Sequence, residues 1–479
     1  MLARSTIGLR SSRERIAAVL ARSAIGLRSS RERHRAMSRR DEPQPEAGYG
    51  RGAAILSVGI GTTGLVTFAY FSLASYALGE ADYGSITLLW SAVFITASVL
   101  YRPVEQLLSR TIADRDARDR TGSEHLRVAA TIQLGLGLTF AVAALLLRGP
   151  IQDDLFDGSR TLYWVLIVTV LAYAVSYFAR GFLAGSRRFG VYGGLVLMEA
   201  GSRFMFALAV VVGIAEGQAV VALGMAAAPL VSLAVVPLAL RGRAGSVAAP
   251  PEPAATARAL DEAGAAEPAA EPEFTLANGT GFAGAVLVIM VAEQTFLNAG
   301  PLLVKATEGA AGAALAGFTF NVLLIARAPL QLFQAIQTSI LPHLTRLGAR
   351  GELDPFRRSV NVTLLAIAIF AAGVALTMLA AGPPLMGIVF GGEFAYDRLG
   401  LVLISLGMGL YLAAATLNQA LLARGQAARA AICWAAAAIA FVAFLLLPRF
   451  DDRVLQVEIG YLGAALLLSG LLHRGYRRL

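Results

Sequence analysis

Long apolar stretches separated by short polar segments dominate this chain from about residue 53 onward. A helix needs ~20 mostly apolar residues to cross a bilayer, and twelve stretches reach about that length. We therefore predict an all-α polytopic membrane protein with twelve transmembrane helices. The predicted spans cover residues 53–78, 84–110, 124–147, 161–183, 189–214, 218–240, 278–304, 311–343, 359–381, 399–422, 427–447 and 455–472.

Two segments interrupt this apolar pattern and divide the chain. Residues 1–50 are basic and poor in long apolar runs, which predicts a disordered N-terminal tail. Residues 242–277 are rich in Ala, Pro and Glu, which predicts a disordered cytoplasmic linker. The linker separates a six-helix bundle at residues 51–241 from a second one at residues 278–479.

The charge distribution indicates how the chain lies in the membrane. With both termini in the cytoplasm, the outer loops hold six of the 41 Lys and Arg residues and three lie deep within spans, which leaves 32 in the cytoplasmic tails and loops and at the cytoplasmic ends of spans. The net charge of +9 is therefore a topology signal, and we expect no nucleic-acid partner. We predict a plasma (inner) membrane protein with both termini cytoplasmic. The single cysteine and four scattered histidines predict neither a metal site nor a cofactor.

The two predicted halves resemble each other in sequence. A shift of 226 residues aligns YRPVEQLLSRTIADR, residues 101–115, with RAPLQLFQAIQTSIL, residues 327–341. Pro103 then falls on Pro329 and Glu105 on Gln331. Two parallel six-helix repeats with a central cavity between them are a transporter architecture, so we expect substrate to bind between the halves.

Arginines at matching depth in the two halves are the first candidate binding residues. Arg102 lies late in the second predicted span with Gln106 on the same helical face, and Arg327 holds a similar place in the eighth. An ionisable group at this depth is costly unless it lines a polar cavity or is paired; snorkelling to the headgroups is the alternative. Because guanidinium offers paired donors and keeps its charge, we predict an anion-binding role.

Three further charges lie near the middle of predicted spans. Glu199 and Arg203 are four residues apart, so they form a compensating ion pair on one helix or line the cavity. Glu293 has no opposite charge within reach on its own helix. Such a carboxyl can take up and release a proton, which predicts an ion-coupling role for Glu293; pairing with Arg203 across the halves is the alternative.

Amide side chains are unusually frequent in the seventh and eighth spans. Interhelical hydrogen bonding is one interpretation, and an uncharged sugar-binding surface is the other. The residues concerned are Gln294, Asn298, Asn321, Gln331, Gln334 and Gln337.

Several of these segments resemble the multidrug/oligosaccharidyl-lipid/polysaccharide (MOP) exporter superfamily, and in particular its polysaccharide-biosynthesis flippase branch. The resemblance covers about residues 51–475 and is carried by RPVEQLLSR at 102–110, ARGFLAGSRRFGVYG at 179–193 and IVFGGEFAYDRLG at 388–400. It implies a pair of bundles around a cavity that works by alternating access. It also implies that cavity arginines hold the head group of a lipid-linked oligosaccharide, a role carried over to Arg102, Arg180, Arg203 and Arg327.

The resulting hypothesis is a flippase or exporter for a lipid-linked polysaccharide precursor, coupled to protons or sodium. The predicted substrate-binding set also contains Glu105, Gln106, Asn298, Asn321, Gln331 and Gln334, and the predicted ion-coupling residues are Glu293 and Glu199. Expected partners are the lipid-linked sugar, membrane lipids and polysaccharide assembly proteins. The alternatives are a peptidoglycan-precursor flippase, a cation-coupled multidrug exporter and, against the short outer loops, a membrane glycosyltransferase or polymerase. We expect no enzymatic activity.

Overall fold

The computed structural model describes residues 47–117, 122–234, 237, 276–327, 329–330, 353–391, 396–447 and 450–478. The predicted tail up to residue 46 and the predicted linker up to residue 275 lie outside these ranges. Helices begin at Ala47 and Leu276, a few residues before the predicted edges of the two bundles. Residues Gly52–Leu479 pack as one compact unit.

The first half of the chain folds into helices that follow the predicted apolar stretches. In order they are α1 (Ala47–Ala77), α2 (Glu80–Ala117), α3 (Glu124–Leu146), α4 (Arg160–Gly185), α5 (Phe189–Val211) and α6 (Gln218–Ser232), with a π-helical turn at Pro150–Leu155. Within this half, α2 packs against α3 and α4, while α6 packs against α4 and α5.

The second half of the chain is also helical. Its helices are α7 (Leu276–Glu308), α8 (Gly312–Arg327), α9 (Leu353–Phe390), α10 (Arg398–Ala423), α11 (Ala427–Leu445) and α12 (Arg453–Tyr476). Here α10 packs against α9 and α12, and α11 packs against α7. The contact between α2 and α7 joins the two halves.

Ten helices in the described ranges are long and apolar enough to cross a membrane. The protein is therefore an all-α multi-pass membrane protein, as predicted. Helices α6 and α8 are shorter than a full span, and both end at or close to residues outside the described ranges. The exact number of twelve spans and the two-bundle division stay predictions.

Close backbone contact joins the halves at one end of the molecule. A Cβ on Gly84 of α2 would clash with the carbonyl oxygen of Ala313 in α8, and a Cβ on Gly317 would lie 2.9 Å from the Gly84 Cα. The Lys305 ammonium of α7 also reaches Asp157, with Nζ–Oδ distances of 2.6 and 2.7 Å. We call this region the closed end.

Hydrogen bonds reinforce the closed end. The Tyr83 hydroxyl donates to the Asn321 side-chain oxygen, and the Asn321 amide donates to the Tyr396 hydroxyl at 3.1 Å. Burial raises the pKa of Tyr396, so this phenol keeps its proton. The Ser72 and Tyr76 hydroxyls of α1 donate to backbone carbonyls of α9. The closed end lies where α2 and α8 begin; in the predicted topology it faces outward.

Asn321 is a correction to the predicted substrate surface. Its side chain is fully buried and lies in the closed end, outside the lining of the two cavities described below. The amide is engaged by two tyrosines, one from each half, so its contacts are interhelical.

Candidate functional site

A cavity of about 410 Å³ lies among the helices of the first half. It is lined by the later part of α2, whereas the closed end involves the beginning of that helix. We call it the larger cavity. Its polar lining includes five of the predicted site residues and Glu199, together with tyrosines and threonines. The lining residues are Ile60, Thr63, Thr67, Trp90, Phe94, Arg102, Glu105, Gln106, Tyr177, Arg180, Tyr192, Val196, Glu199 and Arg203.

Two glycines bring α4 close enough to α2 to build this cavity. A Cβ on Gly181 would lie 2.8 Å from the Glu105 carbonyl oxygen, and one on Gly185 would lie 2.8 Å from the Ser109 carbonyl oxygen. Small residues spaced four apart allow such backbone approach between membrane helices. Arg180 precedes Gly181, so this contact sets it beside the polar segment of α2.

The Glu199 carboxylate of α5 forms an ion pair and hydrogen bonds with side chains of α4 and α6. Arg180 of α4 forms an ion pair with it, and the hydroxyls of Ser176 and Ser232 donate to its Oε1 atom, the second at 3.4 Å. Its side chain is only 2% exposed, so these partners replace the water that the carboxylate loses. The alternative of a pair with Arg203 on the same helix is wrong, because Arg180 takes that place.

Arg203 instead lies among aromatic rings. Its Nη1 atom donates to the Tyr173 hydroxyl at 2.8 Å, and its guanidinium carbon lies 5.1 Å from the Trp90 ring centre. The Arg203 Nε atom is buried and has no hydrogen-bond partner. No carboxylate oxygen in the described ranges lies within 4.0 Å of this guanidinium.

Glu105 is held by a phenol. The Tyr192 hydroxyl of α5 donates to its Oε1 atom at 2.9 Å. This hydrogen bond orients the carboxylate in the cavity wall. In the part of the chain that the structure describes, Glu105 forms no ion pair with an arginine within 4.0 Å.

A cavity of about 200 Å³ lies between the halves and shares Thr67, Trp90 and Phe94 with the larger one. We call it the smaller cavity. It is lined mostly by apolar and aromatic residues, with polar groups contributed by α7 and α8. The lining residues are Gly64, Thr67, Phe68, Phe71, Trp90, Phe94, Ser98, Gln294, Leu297, Asn298, Leu324, Arg327 and Leu330.

Arg327 anchors a chain of hydrogen bonds in the smaller cavity. It donates to the Leu297 carbonyl oxygen and, at 3.1 Å, to Asn298 Oδ1; the Asn298 amide in turn donates to Gln294 Oε1 at 3.0 Å. The guanidinium carbon lies 4.3 Å from the Phe320 ring centre. The Arg327 Nε atom is buried without a hydrogen-bond partner. Among the described residues, no carboxylate pairs with Arg327.

Arg102 and Glu293 form an ion pair between α2 and α7, at an Nη1–Oε2 distance of 4.0 Å. Their side chains are 33% and 22% exposed. The expectation that Glu293 is unpaired is therefore wrong, and so is the alternative that it pairs with Arg203. Arg102 reaches it because α2 and α7 are the helices in contact across the halves.

Other predicted residues have different outcomes. Gln331, Gln334 and Gln337 lie outside the described residues. Sequence analysis missed Tyr173, Tyr192 and Ser176, whose side chains hold the charged groups in position. Tyrosines in otherwise apolar spans were the available signal, since a buried phenol requires a hydrogen-bond partner.

The fold is that of solved transporter structures. The inward-facing conformation of a multidrug resistance MATE family transporter of the MOP superfamily matches with a TM-score of 0.61 and 13% identity, over 89% of this chain and 97% of that one. The eukaryotic MATE transporter AtDTX14 matches with a TM-score of 0.59 and 16% identity, over 90% and 97%.

A third similar structure is a MOP superfamily transporter from Pyrococcus furiosus, whose binding pocket is described as having reverse polarity. It matches with a TM-score of 0.56 and 13% identity, over 90% of this chain and 95% of that one. Neither a protein-family model nor a curated protein matches the sequence. At these identities the similarity shows the fold, and it does not confirm the polysaccharide-flippase branch.

Proposed function

We propose that this protein moves a lipid-linked oligosaccharide across the plasma membrane by alternating access. The closed end and the cavities beside it have the arrangement expected of one access state. In the predicted topology this is the inward-facing state, from which a polysaccharide precursor made in the cytoplasm would bind.

Charge compensation in the cavities is the observation that carries this proposal. Four arginines contribute to the cavity walls, but only Arg102 and Arg180 have a carboxylate partner in the described ranges. Arg203 and Arg327 keep their charge, and each has a buried Nε–H group without an acceptor. In a low-dielectric site, an uncompensated guanidinium attracts an anion strongly. A diphosphate head group supplies acceptors that match it.

Amides and aromatic faces offer a second type of contact beside these charges. Gln294 and Asn298 line the smaller cavity together with Trp90 and Phe94. Amide groups bond to hydroxyls without needing a charge, which suits the sugar of a lipid-linked head group. We assign the ion-coupling role to Glu293, with Glu199 supporting the neighbouring Arg180.

A cation-coupled multidrug exporter is the second candidate, and the solved structures with the same fold favour it. Phe68, Phe71 and Trp90 provide aromatic faces for an organic cation, while Glu105 and Glu199 provide negative charge. Fold alone does not decide between the substrates. The uncompensated Arg203 and Arg327 favour the anionic substrate.

Binding to the purified full-length protein separates the two candidates. Farnesyl diphosphate, farnesol and ethidium would be titrated in detergent solution. We expect the diphosphate to bind and the neutral alcohol and the cation to bind weakly. Arg203→Gln and Arg327→Gln should each weaken diphosphate binding by about 10- to 100-fold, because each removes a charged hydrogen-bond donor worth about 1.5–3 kcal/mol.

Other results would favour one of the alternative functions. Ethidium binding that depends on Glu293 and is unaffected by the arginine variants would support the multidrug exporter.

In cells, Arg102→Ala or Arg327→Ala should abolish polymer export while the protein stays in the membrane; full export by both would overturn the anion-binding role. Competition by a peptide-bearing disaccharide lipid would favour the peptidoglycan-precursor alternative.

A further inference from the structure

The ion pair between Arg102 and Glu293 lies at the edge of the larger cavity, on the side of α7. Arg102 lines the larger cavity from α2, and Glu293 directly precedes Gln294, which lines the smaller one from α7. Trp90 and Phe94 belong to both linings. A head group bound to Arg102 in the larger cavity would therefore meet this ion pair.

The geometry of the pair makes it replaceable. At 4.0 Å its closest nitrogen and oxygen atoms are beyond hydrogen-bond distance, and both side chains are partly exposed. The Arg180–Glu199 pair beside it is shorter and its carboxylate is almost fully buried. A phosphate that bonds directly to the Arg102 guanidinium would form stronger contacts than the Glu293 carboxylate does.

In the part of the chain that the structure describes, Arg102 is the cation that pairs with Glu293. Tyr411 of α10 lies near both members of the pair, and Glu105 of α2 lies near Arg102. Titratable or cationic groups on other helices around α7 include Arg327 on α8, Arg429 and Cys433 on α11, and Tyr461 and Arg453 on α12; within the described ranges none of them forms a hydrogen bond or ion pair with Glu293. Among the described residues, no other cation is placed to pair with this carboxylate once Arg102 binds another anion.

We infer that Glu293 occupies the anion site of Arg102 in the empty protein, and that an anionic head group displaces it and makes it take up one proton from the water of the cavity. This inference rests on the proposed function and deepens it, because it makes substrate and proton binding at this ion pair mutually dependent. The proton joins the carboxylate oxygen of Glu293 as the phosphate oxygen joins the guanidinium of Arg102.

Because the substrate and the proton bind together, they cross the membrane in the same direction. A diphosphate carries more negative charge than one proton neutralises, so the loaded site keeps a net negative charge. An interior-negative membrane potential favours outward movement of that charge, by about 2.3 kcal/mol per elementary charge per 100 mV. The empty site returns with Arg102 and Glu293 neutralising each other.

Calorimetry in buffers of different ionisation enthalpy tests this inference, because it counts the protons taken up as a ligand binds. The full-length protein is titrated with farnesyl diphosphate. We expect wild type to take up about one more proton per bound ligand than Glu293→Gln, and we expect Glu293→Gln to bind at least as tightly because its competitor is absent. The difference between proteins cancels the titration of the diphosphate itself.

Two further variants show whether the difference in proton uptake comes from the Arg102–Glu293 pair rather than from the Glu293→Gln substitution alone. Glu308→Gln is the matched control, because Glu308 lies on the same helix and pairs with Arg453 at 2.7 Å, away from the cavities; it should take up as many protons as wild type. Arg102→Gln removes the same ion pair from the other side, and its binding should be weaker and lack the extra proton.

The possible results separate the inference from the proposed function. Diphosphate binding with equal proton uptake by wild type, Glu293→Gln and Arg102→Gln would overturn the displacement of Glu293 and leave the anion-binding function intact. Absence of diphosphate binding by wild type would overturn both. An extra proton that disappears in both variants and persists in Glu308→Gln supports the inference.

Discussion

Two ion pairs join α7 to the first half of the chain, and they differ in length, burial and surroundings. At the closed end, the Lys305 ammonium bonds to both Asp157 oxygens and, at 2.8 Å, to the Gly309 carbonyl; the Lys305 side chain is 1% exposed. About 18 Å along the same helix, calculated from its rise per residue, Glu293 faces Arg102 across 4.0 Å at the edge of the larger cavity, where both side chains are partly exposed.

These differences indicate that the Lys305–Asp157 pair is a structural contact, whereas the Arg102–Glu293 pair can be replaced by a ligand. The Lys305 side chain is 1% exposed, so if it lost Asp157, little water could replace the carboxylate, and breaking this pair is costly. A long, partly exposed pair contributes little stability, and a ligand that offers better acceptors can replace one of its members. Both pairs connect the same two halves, but only the one in the cavity is suited to ligand exchange.

Removing the buried pair should have the largest effect. Asp157→Asn leaves the Lys305 charge buried without its carboxylate, which we expect to destabilise the closed end by about 3 kcal/mol, at the low side of the range for buried pairs because Asp157 is partly exposed. Unfolding in mixed micelles measures this change. Glu308→Gln on the same helix breaks a pair whose cation, Arg453, is 18% exposed against 1% for Lys305, so it should cost less than about 1 kcal/mol; equal effects of the two substitutions would contradict the distinction.

Removing the amide bridge at the closed end should have an intermediate effect. Asn321→Ala deletes two buried hydrogen bonds, to Tyr83 and to Tyr396, which are worth about 1 kcal/mol each. The same unfolding assay should therefore show a loss of about 2 kcal/mol. Tyr83→Phe removes one of the two bonds and should cost about half as much. If Asn321→Ala instead weakened ligand binding without a change in stability, the amide would belong to the substrate surface after all.

Removing the cavity pair should have the smallest effect on stability. Arg102→Gln should change the free energy of unfolding by less than about 1 kcal/mol, because the pair is long and Arg102 is one-third exposed. The same variant should weaken diphosphate binding markedly. A loss of stability as large as that of Asp157→Asn would mean that the cavity pair holds the halves together, and the comparison would fail.

Sequence reasoning succeeded where the signal is local. Apolar length predicted the helices, since each span must satisfy its backbone and match the bilayer by itself. Arg102 and Arg327 were predicted to line a cavity because an isolated charge at that depth needs a polar environment, and both do line one.

Which charged residues pair with one another could not be predicted from local sequence signals. Glu199 pairs with Arg180, which is 19 residues away, rather than with Arg203, which is four residues away. That choice follows from the approach of two helix backbones at Gly181, which no helical spacing reveals. The pairing of Glu293 with Arg102 likewise depends on how α2 and α7 meet across the halves.

The bare contact between Gly84 and Gly317 has a consequence for how the molecule moves. Where two main chains touch without side chains, no side chain can rotate aside to make room for an added group, so a substitution here acts on the backbone packing itself. Anything larger than a hydrogen atom at Gly84 acts as a wedge that the present arrangement cannot accommodate. The site therefore offers a handle for trapping the opposite state of the protein for crystallography or microscopy.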